Sequence, residues 1–155
     1  MTPGRRSISY DTFDQVMPDV ERLLEGHTTV GQWTLAQICR HLANTLRRII
    51  DLPASTPQDP TGWNMEAKKR ILELGIVPEG LPSSQTVVPT DLKDASTEAA
   101  GLREAIAYYR AAPGPVIAHP RFGPLSRVEW DRFNLVHMAH HLSFAVPAEG
   151  EHSAR

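Results

Sequence analysis

The chain has 155 residues, of which 41% are hydrophobic and 22% charged, with 16 basic against 18 acidic side chains. That is enough for one domain with a real apolar core and too little for two ordinary ones. A formal charge of −2 without a concentrated basic patch argues against a nucleic-acid partner, and no run approaches the roughly 20 apolar residues of a membrane-spanning helix. Cys39, the single cysteine, cannot build a disulfide framework. A cytoplasmic location is the default expectation. Residues 1–9 carry Arg5 and Arg6 with no apolar stretch behind them. They read as a flexible terminus rather than a signal or an anchor.

Tyr10 to Gly26 opens the fold. Phe13, Val16, Met17, Val20, Leu23 and Leu24 recur at helical spacing, with Asp11 or Thr12 to cap the start and Gly26 to stop it. Pro18 falls inside this pattern. It predicts either a kink or a start near Met17 that leaves the proline in the first turn. A second helix is signalled by Thr34 with Gln37 three residues on, a capping-box spacing, and by the stripe Leu35, Ile38, Leu42, Leu46 and Ile49. His41 lies beside that stripe. Cys39 reads as a small buried hydrophobe, Arg47-Arg48 as a solvated face, and Pro53 as the end of the helix. Ala54 to Gly62, with Pro57 and Pro60, is a loop.

Trp63, Ala67, Ile71 and Leu74 mark a short helix with Gly75 as its C-cap, and Lys68-Lys69-Arg70 read as its solvated side. Gly75 to Thr90 is a long Pro- and Ser-containing connection, either a surface spacer or a lid. Within it, Thr86-Val87-Val88 is the one stretch with strand character. Ser96 to Ala112 is the next helix, burying Ala99, Leu102, Ile106 and Tyr109 and stopped by Pro113-Gly114-Pro115. Val116 to Leu125 is a compact loop holding His119-Pro120 and Phe122-Gly123. Ser126 and Glu129 form a second capping box. It opens a helix that carries Trp130, Phe133, His137, His140, His141 and Phe144 and closes at Pro147. Residues 148–155, including His152, read as a flexible polar tail. Four main helices and one extra short helix predict an all-α fold, a helical bundle forming a single domain over residues 10–147.

The last helix carries the chemistry. His137 and His141 are four apart and share one face with Trp130, Phe133 and Phe144, so their imidazoles turn inward. A buried imidazole needs a partner for each ring nitrogen; a metal satisfies one and a neighbouring acceptor the other. His41 completes a three-histidine set if its helix packs beside the last one, which the pattern permits without requiring. Such a set suits zinc, nickel or ferrous iron, and three protein ligands with an open position are catalytic in type. Satisfied core or crevice histidines are the competing reading. His140 lies about 100° around the helix from His141 and is a candidate proton-transfer group or a solvent-facing neighbour. His119 is a second catalytic candidate, or a turn residue ahead of Pro120. No glutamate lies between the two helix histidines, so the metalloprotease motif is absent. Gly62, Gly75 and Gly80 form no phosphate loop.

Two blocks carry a resemblance. One runs Trp33-Thr34-Leu35-Ala36-Gln37-Ile38-Cys39-Arg40-His41-Leu42. The other begins His119-Pro120-Arg121-Phe122-Gly123-Pro124-Leu125-Ser126-Arg127-Val128-Glu129-Trp130 and ends in His137-Met138-Ala139-His140-His141-Leu142. With these the chain resembles the DinB-like or YfiT-like superfamily of metalloenzymes, most closely a bacterial subfamily of uncharacterised function, over residues 32–145. The resemblance implies an up-down-down-up four-helix bundle with a long crossover. It also implies metal ligation by His41, His137 and His141. One departure stands out: the subfamily's usual long polar pair after the histidine run is here Ser143-Phe144.

The activity so implied is that of a divalent-metal-dependent enzyme, a transferase or isomerase using a low-molecular-weight thiol on a small-molecule substrate. A metal-dependent hydrolase is consistent with the same ligands. A non-catalytic helical domain that binds a small molecule or a partner is the alternative of a different class. A homodimer paired through helix faces is compatible with all three.

Overall fold

The computed structural model describes residues 3–77, 88–113 and 116–148. The chain is mostly helical, with one small antiparallel two-stranded sheet. The helices are α1 (Val16–Glu25), α2 (Leu35–Asp51), α3 (Met65–Lys69), α4 (Ala95–Ala111) and α5 (Arg127–Leu142). A π-helical turn, Arg70–Leu74, continues α3, and strands β1 (His27–Thr29) and β2 (Ala145–Pro147) pair with His27 opposite Pro147.

Local chemistry sets most boundaries. A 3-10 turn at Phe13–Gln15 precedes α1, and the Gln15 side chain accepts from the backbone N–H of Asp11 at 2.6 Å and of Thr12 at 3.3 Å. Because α1 starts at Val16, Pro18 falls in the first turn, where its missing N–H has no intrahelical partner to lose. The late start predicted from Pro18 therefore replaces the kink. Both capping boxes form: the Gln37 N–H reaches Thr34 Oγ1 at 3.1 Å, and the Glu129 N–H reaches Ser126 Oγ at 3.1 Å. Gly75 ends the π-helical turn at φ 68°, a left-handed conformation that glycine adopts without strain.

Two features of the helices differ from expectation. The last helix ends at Leu142 rather than Pro147, because Ala145–Pro147 leaves to pair with β1. Pro147 sits at the strand's end, where a missing donor costs little. Leu74, expected in the core, is 65% exposed, because the wider π turn rotates it off the stripe that buries Ile71. The strand character noted at Thr86-Val87-Val88 falls largely outside the described residues, and Val88 itself is in no strand.

The core is continuous from Phe13, Val16 and Val20 through Leu42, Leu46, Leu102 and Tyr109 to Trp130, Met138 and Leu142. α2 and α4 pack closely along each other, and α5 packs on α2 and on the π turn. Glu98, on the buried side of α4, is forked by Arg40 of α2 at 2.8 and 2.7 Å and accepts the Lys93 N–H at 2.8 Å. The Arg40 guanidinium holds the Glu98 carboxyl below its usual range, against the opposing effect of burial. This pair ties α2 to α4 at the residue next to His41.

The stretch before α1, expected to be flexible, makes specific contacts. Arg6 forks Asp19 at 2.9 and 3.0 Å and donates to the Leu142 carbonyl at 2.9 Å, and its backbone N–H reaches the Ser143 carbonyl at 2.9 Å. The N-terminal segment is thus laced to the end of α5. No helix among the described residues is long and apolar enough to cross a membrane.

Candidate metal centre

His41 sits near the middle of α2, and His137 and His141 lie one turn apart on α5. The packing of α2 on α5 brings the three together. His41 Nε2 lies 3.4 Å from His137 Nε2, and His141 Nε2 lies 3.1 Å from the same atom. One ligand nitrogen from each residue lies within 4.8 Å of the other two. Nitrogens held about 2.0–2.1 Å from a common ion at tetrahedral angles stand about 3.3 Å apart. Two edges of the triangle already match that spacing, so a neutral three-imidazole donor set fits a divalent ion.

The surroundings are aromatic. Trp33, immediately before the cap of α2, stacks on His141 with centroids 5.4 Å apart and planes 12° from parallel, and meets His41 edge-on at 5.1 Å. Phe133, one turn before His137, stacks on it at 5.4 Å and 16°. These walls remove water from around the rings, which opposes protonation. Burial pushes His41 down to about 4. Burial, and then the like charges of His41, His140 and Arg5, take His141 to about 2. His137 is lowered well below its ordinary range, chiefly by burial and then by the neighbouring histidines. All three are neutral near pH 7, the state in which imidazole ligates a metal. Among the described residues, no carboxylate acts on any of the three.

The two other histidines singled out from sequence lie apart from this triangle. His140 faces the N-terminal segment: its Nδ1 accepts from Arg5 Nη2 at 2.8 Å, and its ring stands 5.1 Å from that of His141. His119, in the loop before α5, has Nδ1 within 3.0 Å of the Arg121 N–H and 3.3 Å of the Phe122 N–H. Its ring stacks on Phe122 at 4.1 Å and meets Phe133 edge-on at 4.7 Å. Burial, and secondarily the Arg121 charge, lower it to about 3. His152 lies outside the described residues.

Sequence reasoning did not assign Arg5 or Trp33 to the site. Nothing in the spacing could place Arg5, which arrives 135 residues ahead of His140 in the chain. The departure at Ser143-Phe144 is now explained locally. Ser143 Oγ accepts from Arg5 Nε at 2.6 Å and donates to the His140 carbonyl at 2.5 Å, while Phe144 lies under the Arg5 guanidinium, 4.6 Å from ring centroid to Cζ. The pair therefore receives Arg5.

The chain belongs to a family described as a protein of unknown function, DUF1569, whose sequence model matches residues 3–148. No curated protein matches the chain, and no solved structure does.

Proposed function

We propose that this member of the DUF1569 family is a divalent-metal-dependent enzyme whose metal is held by His41, His137 and His141, on a DinB-like up-down-down-up four-helix bundle. The observation that carries the reading is the convergence of three neutral imidazole nitrogens at 3.1 and 3.4 Å. Bundle architecture is supported by the packing of α4 on α2 and α1 and of α5 on α2, with the chain between α3 and α4 as the long crossover. Zinc or nickel suits three imidazoles best, and ferrous iron is the third choice.

A divalent ion with an open coordination position is a Lewis acid that lowers the pKa of a thiol or water it binds. The residues around it set what it can take. Three neutral imidazoles would leave the charge of +2 on the ion uncancelled by its ligands, and among the described residues no carboxylate acts on the three. An anionic ligand suits such an ion in a part-buried site, and a low-molecular-weight thiol in its thiolate form supplies one. Trp33 and Phe133 exclude water from the ligand side of the rings. The arrangement supports transfer or isomerisation using such a thiol on a small molecule, in the cytoplasm.

The test is metal analysis of protein purified without a histidine tag, then cobalt substitution and addition of L-cysteine. One equivalent of metal and an intense near-ultraviolet sulfur-to-cobalt band are expected. Failure to take up zinc, nickel or cobalt sinks the metal reading. Uptake without a sulfur band sinks the thiol reading and leaves hydrolysis to be assayed with ester and amide substrates.

A further inference from the structure

We propose that His119 is a hydrogen-bond donor, through Nε2–H, to an oxygen atom of the small molecule held at the three-histidine centre. The proposal rests on the metal reading and names one contact that the bound molecule makes.

The argument begins with the tautomer. His119 Nδ1 lies 3.0 Å from the Arg121 N–H and 3.3 Å from the Phe122 N–H, and both are backbone donors. A nitrogen that accepts carries no proton, so the neutral ring has its proton on Nε2. The loop that fixes this is closed by reciprocal His119–Gly123 backbone bonds of 2.9 and 3.0 Å. Its tip is pinned where Trp63 covers Gly123, since a Cβ there would come within 2.9 Å of Trp63 Cε3. The ring is held by Phe122 on one face, by Phe133 edge-on, and by Trp130 at 5.4 Å. Desolvation keeps it uncharged near neutral pH.

Position follows from Phe133. The same ring that meets His119 at 4.7 Å stacks on His137 at 5.4 Å, so the His119 ring is one aromatic ring removed from a proposed metal ligand. A charge on His119 would be felt at His137. Nε2–H has no protein acceptor among the described residues, and it is not sealed from solvent. A turn that needed only an acceptor for two amides would be served by asparagine, whose Oδ1 occupies the place of Nδ1. The second nitrogen is the part of this residue for which loop structure gives no reason.

His119→Asn separates the two roles, because it keeps the turn acceptor and deletes the distal donor. The untagged full chain is loaded with Co(II) and titrated with acetohydroxamate, an oxygen ligand read by the visible cobalt bands. In His119→Asn the dissociation constant should rise about tenfold with cobalt stoichiometry unchanged, while Tm falls modestly because the ring's packing on Phe122 and Phe133 is lost. Equal affinity in variant and wild type would overturn the proposal and leave the metal centre standing. Absence of cobalt uptake by the wild type would overturn both. A second measurement needs no substitution. In the zinc-loaded wild type, the His119 Nε2–H proton resonance should move downfield when acetohydroxamate is added. A resonance that stays fixed while acetohydroxamate saturates the metal would reject the contact.

Discussion

Metal-free protein should lose stability on mild acidification, well before any carboxylate titrates. The ordinary histidine pKa is 6.5 in the unfolded chain, whereas in the fold His41 falls to about 4, His119 to about 3 and His141 to about 2, all chiefly through burial. A folded pKa below the unfolded one means that the unfolded chain binds protons first. The stability these groups contribute is therefore full above pH 6.5 and is lost as pH falls toward the folded values. At pH 5 each of the three costs about 2 kcal/mol, about 6 kcal/mol together, and His137 acts in the same direction. That is comparable to the whole stability of an ordinary domain, ~5–15 kcal/mol. Asp19 and Glu98, whose carboxyls are lowered in the fold, begin to matter only below about pH 4.5, so pH 6.5 to 5 isolates the imidazoles. The assay is urea unfolding by far-ultraviolet circular dichroism at pH 7.5, 6.5, 5.8 and 5.0 in a chelator. His41→Ala should show a shallower pH dependence by about one proton. A urea midpoint unchanged between pH 7.5 and 5.0 would refute the claim that these rings are packed in their neutral state.

Other perturbations have definite outcomes. His137→Ala should abolish stoichiometric metal binding by elemental analysis, since His137 is the apex from which both short nitrogen distances are drawn; full retention would remove it from the ligand set. Saturating zinc at about 100 times its dissociation constant should add ~2.7 kcal/mol to wild-type stability and nothing to that variant, read as the shift in Tm. Glu98→Ala strands the Arg40 guanidinium, which keeps about a third of its side-chain exposure; a loss of ~2 kcal/mol by urea unfolding is expected. Gly123→Ala places a Cβ within 2.9 Å of Trp63 at φ +73° and should cost more than ~1 kcal/mol, with a change in tryptophan emission.

The helices were legible because their signals are local. Thr34 with Gln37, Ser126 with Glu129, and Gly75 each set a boundary through contacts within three or four residues, and the structure places the boundaries there. The end of α5 was not legible. Its last turn competes with pairing between residues 27–29 and 145–147, a contact far apart in sequence that no periodicity announces. The same holds for Arg40–Glu98, where two exposed-looking charges become a buried fork only when α2 meets α4. Within the site, His137 and His141 could be read from one helix. Their junction with His41 depends on the packing of α2 against α5, and the stacking of Trp33 on His141 depends on the same contact.

Hydrogen bonding within the triangle bears on whether these are merely core histidines. A neutral imidazole nitrogen carries either one proton or one lone pair. His137 Nε2 faces His41 at 3.4 Å and His141 at 3.1 Å. If it is protonated, its one proton is shared between two acceptors; if it is not, its one lone pair is shared between two donors. Neither choice gives two well-formed bonds, and buried polar atoms left short of partners are costly. A divalent ion would resolve the conflict, because His41, His137 and His141 could each then offer a lone pair to it and none would have to donate to another. Three nitrogens converging in an aromatic surround are poorly arranged for one another and well arranged for a cation. The metal-free chain should accordingly show a broadened set of imidazole nitrogen resonances from interchanging tautomers, and zinc should collapse it to one sharp set. A single sharp set already present without metal would restore the core-histidine reading.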